Sequence, residues 1–362
     1  MANSFHIDIN STKNCNLRCT YCFEVKNNFI QNKNFEEPDI LINWIHEFMK
    51  TPEFTNNYDD LAINFWGGEP TLNQDLYEKI INEFDKNPKV RFFMYTNGFQ
   101  FNDFYINSFK KLQEKKVNGH PKIVIQISYD GNPIHDFDRV TINNKGSAYN
   151  VAETINQLKL HNIYHVLKST IAPENFKYMF EAYKDVLSLA PNYFPTIDLH
   201  KVYTDDDDFT KYGQDLYENL IQIAVYEKKY NKKGTFAWFT RSNKALCSAG
   251  VNMIAIDING NILPCHGALY TDYDEHLMGN IKDINNIPEI INKLKWFKTF
   301  SRNEPQECKE CDNNFCLRCN ITKFETSKKE TYEEKWSDHN NQKYLCYFFD
   351  ILNIVVKAKG KI

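Results

Sequence analysis

The chain has 362 residues, 42% of them hydrophobic and 15% aromatic, enough for one large α/β domain plus a smaller one. A net charge of −4 excludes a broadly basic surface for nucleic acid. No run of about 18 apolar residues is present to cross a membrane, and the start Met1-Ala2-Asn3-Ser4-Phe5-His6 lacks the basic and apolar regions of a secretion signal. The expected location is therefore the cytoplasm, where clustered thiols bind metal more readily than they form disulfides. The richness in Asn and Lys reads as AT-rich coding.

Short strand-type runs alternate with longer helix-type stretches. The strands are expected at Phe5–Ile9, Leu61–Trp66, Val90–Thr96, Ile123–Tyr129, Tyr164–Ile171 and Thr196–Tyr203, and the helices near 36–50, 74–86, 103–115, 148–161, 173–189 and 209–231. This alternation predicts a parallel sheet with helices outside, and six such units make a partial (β/α)6 TIM-like barrel with its chemistry at the C-terminal strand ends. Phe48, Phe54 and Tyr58 are expected in the core, although a peptide groove is the other use for them. Asp205–Asp208 reads as a solvated loop.

Ten cysteines fall into two groups with none between residues 22 and 247. Cys15, Cys19 and Cys22 follow the first strand as C-x3-C-x2-C. Three thiolates at this spacing can hold three irons of a four-iron cluster and leave the fourth open to a ligand. Zinc would want four ligands, usually from paired C-x2-C units. The second strand ends in Trp66-Gly67-Gly68-Glu69-Pro70, where glycines permit close backbone approach. The fourth runs into Ser128-Tyr129-Asp130-Gly131, followed by His135-Asp136-Phe137-Asp138-Arg139.

Together these motifs resemble the radical S-adenosylmethionine (SAM) enzymes. The resemblance implies that the open iron chelates the amino acid end of SAM, with Tyr21 as the aromatic residue before the third cysteine. It gives the GGEP run, Gly67 to Pro70, the SAM amino group, Ser128 the ribose and Arg139 the SAM carboxylate, and adds Asp130 and Asn97 to the cofactor-binding set. The spacer before His135 is one residue shorter than in the common form, and His135 and Asp136 by themselves read as a local turn or cap.

The C-terminal cysteines are Cys247, Cys265, Cys308, Cys311, Cys316, Cys319 and Cys346, with an Asn259-Gly260 hairpin turn before Cys265. This order is similar to the SPASM domain, which carries auxiliary iron–sulfur clusters; two gaps in the central quartet are one residue short. The implied organisation is a radical SAM partial barrel over 1–232, then a SPASM domain and C-terminal helix over 233–362, with three [4Fe-4S] clusters in all. Family connectivity would give one auxiliary cluster Cys308, Cys311, Cys316 and Cys346. The other would keep Cys247, Cys265 and Cys319 and lack a fourth cysteine; water, His266 or a carboxylate are candidates to fill the place.

In the anaerobic sulfatase-maturing enzymes an Asp base follows the second SPASM cysteine. Here that position is His266, a candidate catalytic base that is equally readable as a structural neighbour of the ligand cysteine. The resemblance implies reductive cleavage of SAM to a 5′-deoxyadenosyl radical, hydrogen abstraction from a substrate carbon, and oxygen sensitivity. The expected enzyme is a peptide maturase that forms a thioether or carbon–carbon crosslink, or an epimer, in a ribosomally made peptide. A sulfatase-maturing type, a small-molecule radical dehydrogenase and a non-catalytic iron–sulfur redox protein are the other readings. Expected partners are the peptide substrate and a reductant such as flavodoxin or ferredoxin. Because the triplet starts at Cys15, a separate leader-binding protein is a further expected partner, with no nucleic acid and no membrane.

Overall fold

Strict alternation makes the first strand. In β1 (Ser4–Asn10), Phe5, Ile7 and Ile9 are fully buried under the helices, while His6, Asp8 and Asn10 take the opposite face. The computed structural model describes residues 3–26, 28–197, 208–240, 248–270, 273–300, 310, 311, 313, 330, 331 and 343–359. After β1 come β2 (Asp60–Trp66), β3 (Val90–Thr96), β4 (Ile123–Ser128), β5 (His165–Ile171) and β6 (Pro195–Ile197), each parallel to the strand before it. The intervening helices are α1 (Pro38–Lys50), α2 (Gln74–Phe84), α3 (Asp103–Gln113), α4 (Ala148–Leu160) and α5 (Met179–Leu189), with α6 (Gly213–Lys229) after β6. The expected partial barrel is thus present. Of the sixth expected strand, the part beyond residue 197 lies outside the described residues, as do Asp205, Asp206 and Asp207.

Side chains of the first turns set the helix starts. Asn73 accepts from Leu76 N to begin α2, and Asn102 accepts from Tyr105 N to begin α3. Proline opens α1, where no N–H is needed. Outside the sheet, aromatic packing dominates: Trp44 stacks on Phe48 at 5.3 Å, and Phe5 meets both Phe48 and Tyr58. Phe48, Phe54 and Tyr58 are core residues, as their pattern suggests, and line no groove.

The chain past the barrel adds to the same sheet. β7 (Met253–Ile256) pairs in parallel with the free edge of β1, from His6↔Met253 to Ile9↔Ile256. β8 (Asn261–Leu263) folds back antiparallel on β7, and β9 (Gly279–Asn280) pairs with β8. The turn between β7 and β8 depends on Gly260, whose φ of +83° suits no side chain well. Its neighbour Asp257 accepts hydrogen bonds from Asn259 N and Asn261 N, both 2.8 Å. Among the described residues the helices α7 (Ile287–Phe300) and α8 (Lys343–Lys359) follow. α8 returns to the barrel, where Phe348 packs edge-on to Phe176 and Lys359 pairs with the buried Glu227 of α6. Among the described residues no helix is long and apolar enough to cross a membrane.

The N-terminal end of the barrel is closed by charge. Arg91 Nε and Nη2 both lie 3.1 Å from Asp60 Oδ1, Nη2 also donates to Ser4 Oγ, and Asp60 is fully buried. Removing the cation would leave a carboxylate in the interior, a loss larger than the net value of the pair. Arg91→Met is expected to lower the unfolding free energy by about 3 kcal/mol, read from urea unfolding monitored by circular dichroism.

Candidate active site

The cysteine triplet lies on the loop that leaves β1 at the open end of the barrel. Arg18 holds the loop from inside, donating from Nη1 to the carbonyls of Cys15 (2.9 Å) and Leu17 (2.7 Å). Residues 138–140 hold it from outside: Arg18 N donates to Val140 O, Thr20 N to Asp138 O, and Thr20 Oγ1 to Asp138 Oδ1 at 2.6 Å. Burial pushes all three thiols up, that of Cys19 to about 12; for Cys15 the nearby Glu69 adds to the effect, and for Cys19 the Arg139 charge opposes it. Each of Cys15 and Cys19 is also raised by a neighbouring thiol of the triplet. Burial and this mutual repulsion favour the neutral thiols, so three thiolates here would need a cation among them, which a bound iron cluster would supply.

The loop after β2 is zipped to the same segment. Gly68 N donates to Thr12 O and Glu69 N to Asn14 O, each at 2.8 Å. A Cβ at Gly67, where φ is +135°, would meet Thr12 O at 2.6 Å, and one at Gly68 would meet Asn14 O at 2.3 Å. These glycines therefore let two backbones touch beside the thiols. Glu69 turns away from the cavity. Its buried carboxylate accepts from Thr71 N, Thr71 Oγ1, Thr96 Oγ1 and Asn97 N, and although burial raises its pKa these four donors favour the charged form. It ties the β2 loop to the end of β3. Pro70 is buried at the start of a short turn and does not face the cavity either. Asn97 donates to Asn16 Oδ1 at 2.7 Å and lies 3.8 Å from Cys15 Sγ.

Asp130 is a hub. Its fully buried carboxylate takes Arg139 Nε at 2.6 Å and Nη2 at 3.3 Å, Tyr21 OH at 3.2 Å and Thr170 N at 2.7 Å. Arg139 also covers the Tyr21 ring at 5.2 Å. Burial is the largest influence and opposes the guanidinium's charge, but Asp130, Tyr21 and Cys19 together outweigh it and hold Arg139 above its ordinary value. Asp130 thus serves Arg139 and Tyr21 and is not itself a wall of the cavity. His135 bonds to Ser147 Oγ, and Asp136 accepts from Ala148 N at the start of α4, so both are structural.

The open end encloses a cavity of about 440 Å³. Of the sequence-predicted residues it brings together Cys15, Cys19, Tyr21, Cys22, Gly67, Gly68, Asn97, Ser128, Arg139 and His266. Sequence reasoning missed Asp8, Tyr95, Gln126 and Lys168, which line it from β1, β3, β4 and β5. Their signal was a polar residue at alternate positions of otherwise apolar strands, on the face away from the helices. His266 enters from the short turn His266–Tyr270 after β8, with Nδ1 2.7 Å from Asp8 Oδ2 and its ring 4.8 Å from Trp66. Cys265 is half-buried and not among the cavity walls; Cys311 and Cys346 are exposed. Cys247, Cys308, Cys316 and Cys319 lie outside the described residues.

A partial β/α barrel with three thiols and a glycine cradle around one cavity is the scaffold of iron–sulfur enzymes that work on SAM. The family comparison agrees: the Radical SAM superfamily model matches residues 9–186, and the SPASM iron–sulfur cluster-binding domain matches 247–312. The chain carries a radical SAM domain and a SPASM domain. It is 24% identical over 336 residues to the radical SAM cyclopropyl synthase TigE of Paramaledivibacter caminithermalis, covering 85% of this chain and 64% of that one. The chain therefore spans just under two thirds of that relative's length. It is also 24% identical to a cysteine-type anaerobic sulfatase-maturating enzyme of Clostridium novyi, covering 83% of each. It shares the fold of native anSMEcpe solved with bound AdoMet, with a TM-score of 0.74, 17% identity and 99% of both chains covered. The anSMEcpe structure with AdoMet and the Cp18Cys peptide gives a TM-score of 0.73 at the same identity and coverage.

Two substitutions test this geometry. Gly68→Ala, which drives a methyl group into the Asn14 carbonyl, is expected to weaken SAM binding at least tenfold in equilibrium dialysis of the reconstituted protein, with an unchanged far-UV spectrum. Asp130→Asn, which leaves the Arg139 charge buried without its partner, is expected to cost about 3 kcal/mol in urea unfolding.

Proposed function

We propose that this chain is a radical SAM peptide maturase, which takes a hydrogen atom from a residue of a ribosomally made peptide to form a thioether or carbon–carbon crosslink, or an epimer. The observation that carries this reading is the shared cavity: the thiol triplet and glycine cradle on one wall, His266 from the C-terminal segment on another. A substrate lying between the two segments would be within reach of both.

Cys15, Cys19 and Cys22 would hold the SAM cluster. The backbone at Gly67 and Gly68 would meet the amino group, Ser128 the ribose, and Arg139 the carboxylate through the N–H groups that Asp130 leaves to it. Bound there, the cluster and SAM supply a carbon-centred radical. The protein's own residues orient the partners and exclude water: Tyr21 and Arg139 fix the cluster loop, and Trp66 and His266 flank the substrate side. His266 is the proposed proton acceptor beside the reacting carbon. Two auxiliary [4Fe-4S] clusters would sit on Cys308, Cys311, Cys316 and Cys346, and on Cys247, Cys265 and Cys319. A flavodoxin or ferredoxin would supply electrons, and a separate protein would bring the leader peptide.

Sulfatase maturation is the second reading, favoured by the match over 83% of both chains to the Clostridium novyi enzyme. Opposing it, position 266 carries His where the sequence pattern of those enzymes has an Asp base.

The test is anaerobic co-expression with the short open reading frames flanking the gene, followed by intact and tandem mass spectrometry and chiral analysis of each peptide. The expected outcome is loss of two hydrogens with a fragmentation gap between the joined residues, or a D-residue at unchanged mass. Unmodified peptides, with SAM cleaved by the purified protein and a co-expressed sulfatase converted at its cysteine, would transfer the assignment to the second reading.

A further inference from the structure

Among the cavity residues, His266 is held by a carboxylate from the opposite end of the chain. Asp8 sits on β1 with only 2% of its surface exposed, and its Oδ2 lies 2.7 Å from His266 Nδ1. Its other oxygen, Oδ1, accepts from Asn64 Nδ2 on β2 at 2.6 Å. Asn64 is itself fully buried. An ionised carboxylate only accepts hydrogen bonds, so the Nδ1 that faces it carries the proton. A neutral imidazole has one N–H, so its Nε2 then keeps a lone pair. The ring also packs at 4.8 Å from the Trp66 ring, tilted by 34°, which limits its rotation.

We propose that Asp8 is a positioning residue: it fixes the proton of His266 on Nδ1 and turns an unprotonated Nε2 into the cavity, as a hydrogen-bond acceptor for a substrate residue that carries an N–H, O–H or S–H beside its reacting carbon. A thiol or hydroxyl residue, or a backbone amide, meets this requirement; a wholly aliphatic side chain meets it only through its amide. The purpose assigned to Nε2 rests on the function proposed above. The orientation of the ring does not, and it can be tested with no peptide present.

The network predicts what an amide at position 8 would do. In Asp8→Asn, Asn64 continues to donate, so it claims the new Oδ1. The new Nδ2 then faces His266 Nδ1 and must donate to it. Nδ1 becomes the acceptor, the proton moves to Nε2, and the cavity meets a donor where it had an acceptor.

Diethyl pyrocarbonate reports on this directly, because it acylates an imidazole nitrogen that carries an accessible lone pair. The reconstituted full-length protein is treated anaerobically at pH 8, where an ordinary imidazole is neutral, and the modified peptides are quantified by mass spectrometry. His120 and His161, both exposed and away from the cavity, serve as internal references. The expected result is acylation of His266 in the wild type, slowed by SAM, and at least tenfold slower in Asp8→Asn with both references unchanged. Equal or faster labelling of His266 in Asp8→Asn would overturn the proposal, as would an unreactive His266 in the wild type. Asp8→Glu is the second variant: it restores an acceptor-only partner and is expected to recover labelling, whereas a merely structural loss at position 8 would not be recovered. Each result is independent of whether a peptide substrate has been found, so the failure of the ring assignment is distinct from the failure of the proposed function.

Discussion

The position of β1 between two parallel neighbours is the constraint on which the other features rest. On one edge it pairs with β2 over its full length, and on the other with β7 from the C-terminal segment. Each pairing delivers a functional loop to the same end of the sheet. β2 brings the Gly67–Gly68 cradle against residues 12–14, and the hairpin that starts with β7 brings His266 over Asp8. Parallel neighbours place their C-terminal ends together, so three segments far apart in sequence converge around the loop that β1 itself carries. A one-residue slip of β7 would turn its buried face outward and carry the His266 turn away from Asp8.

Buried charge is the second organising feature, and it is handled in layers. At the base of the barrel Arg91 and Asp60 neutralise one another. At the open end Asp130 and Arg139 do the same, and Glu69 is held by four neutral donors. These arrangements satisfy groups that would be costly if left alone. They also stiffen the junctions between β2, β3, β4 and β5 at the cavity. The motif residues Glu69 and Asp130 contribute by this indirect route. Their side chains hold the residues that face the cavity, which is why a motif can be required in sequence and yet be absent from the cavity wall.

Much of the barrel was legible because its signals are local. The strand-type run Phe5–Ile9 and the helix-type stretches near 74–86 and 103–115 follow from neighbours a few positions apart, and the structure reproduces them within a residue or two. The triplet spacing and the adjacent glycines are likewise local statements about one loop. Position 8 was not legible. In β1 an acid among apolar residues has no visible partner, because the imidazole it meets lies 258 positions away. Tyr95, Gln126 and Lys168 escaped notice for the same reason: each stands in a different strand, and only the closing of the sheet sets them around one cavity.

What the sequence determined by itself, then, is the family, the order of strands and helices, and the identity of the thiols after β1, since these depend on periodicity and short-range spacing. What the tertiary structure decided is which side chains face the cavity and which sit behind it. Arg139 could be read toward a ligand or toward a neighbouring acid, and Asp130 at 2.6 Å engages part of its fork; His266 could be read toward a cluster or toward the barrel, and Asp8 at 2.7 Å holds it to the barrel. The physical reason is that a hydrogen bond forms between groups within about 3 Å in space, and distance along the chain carries no information about that once strands from both ends of the molecule share one sheet.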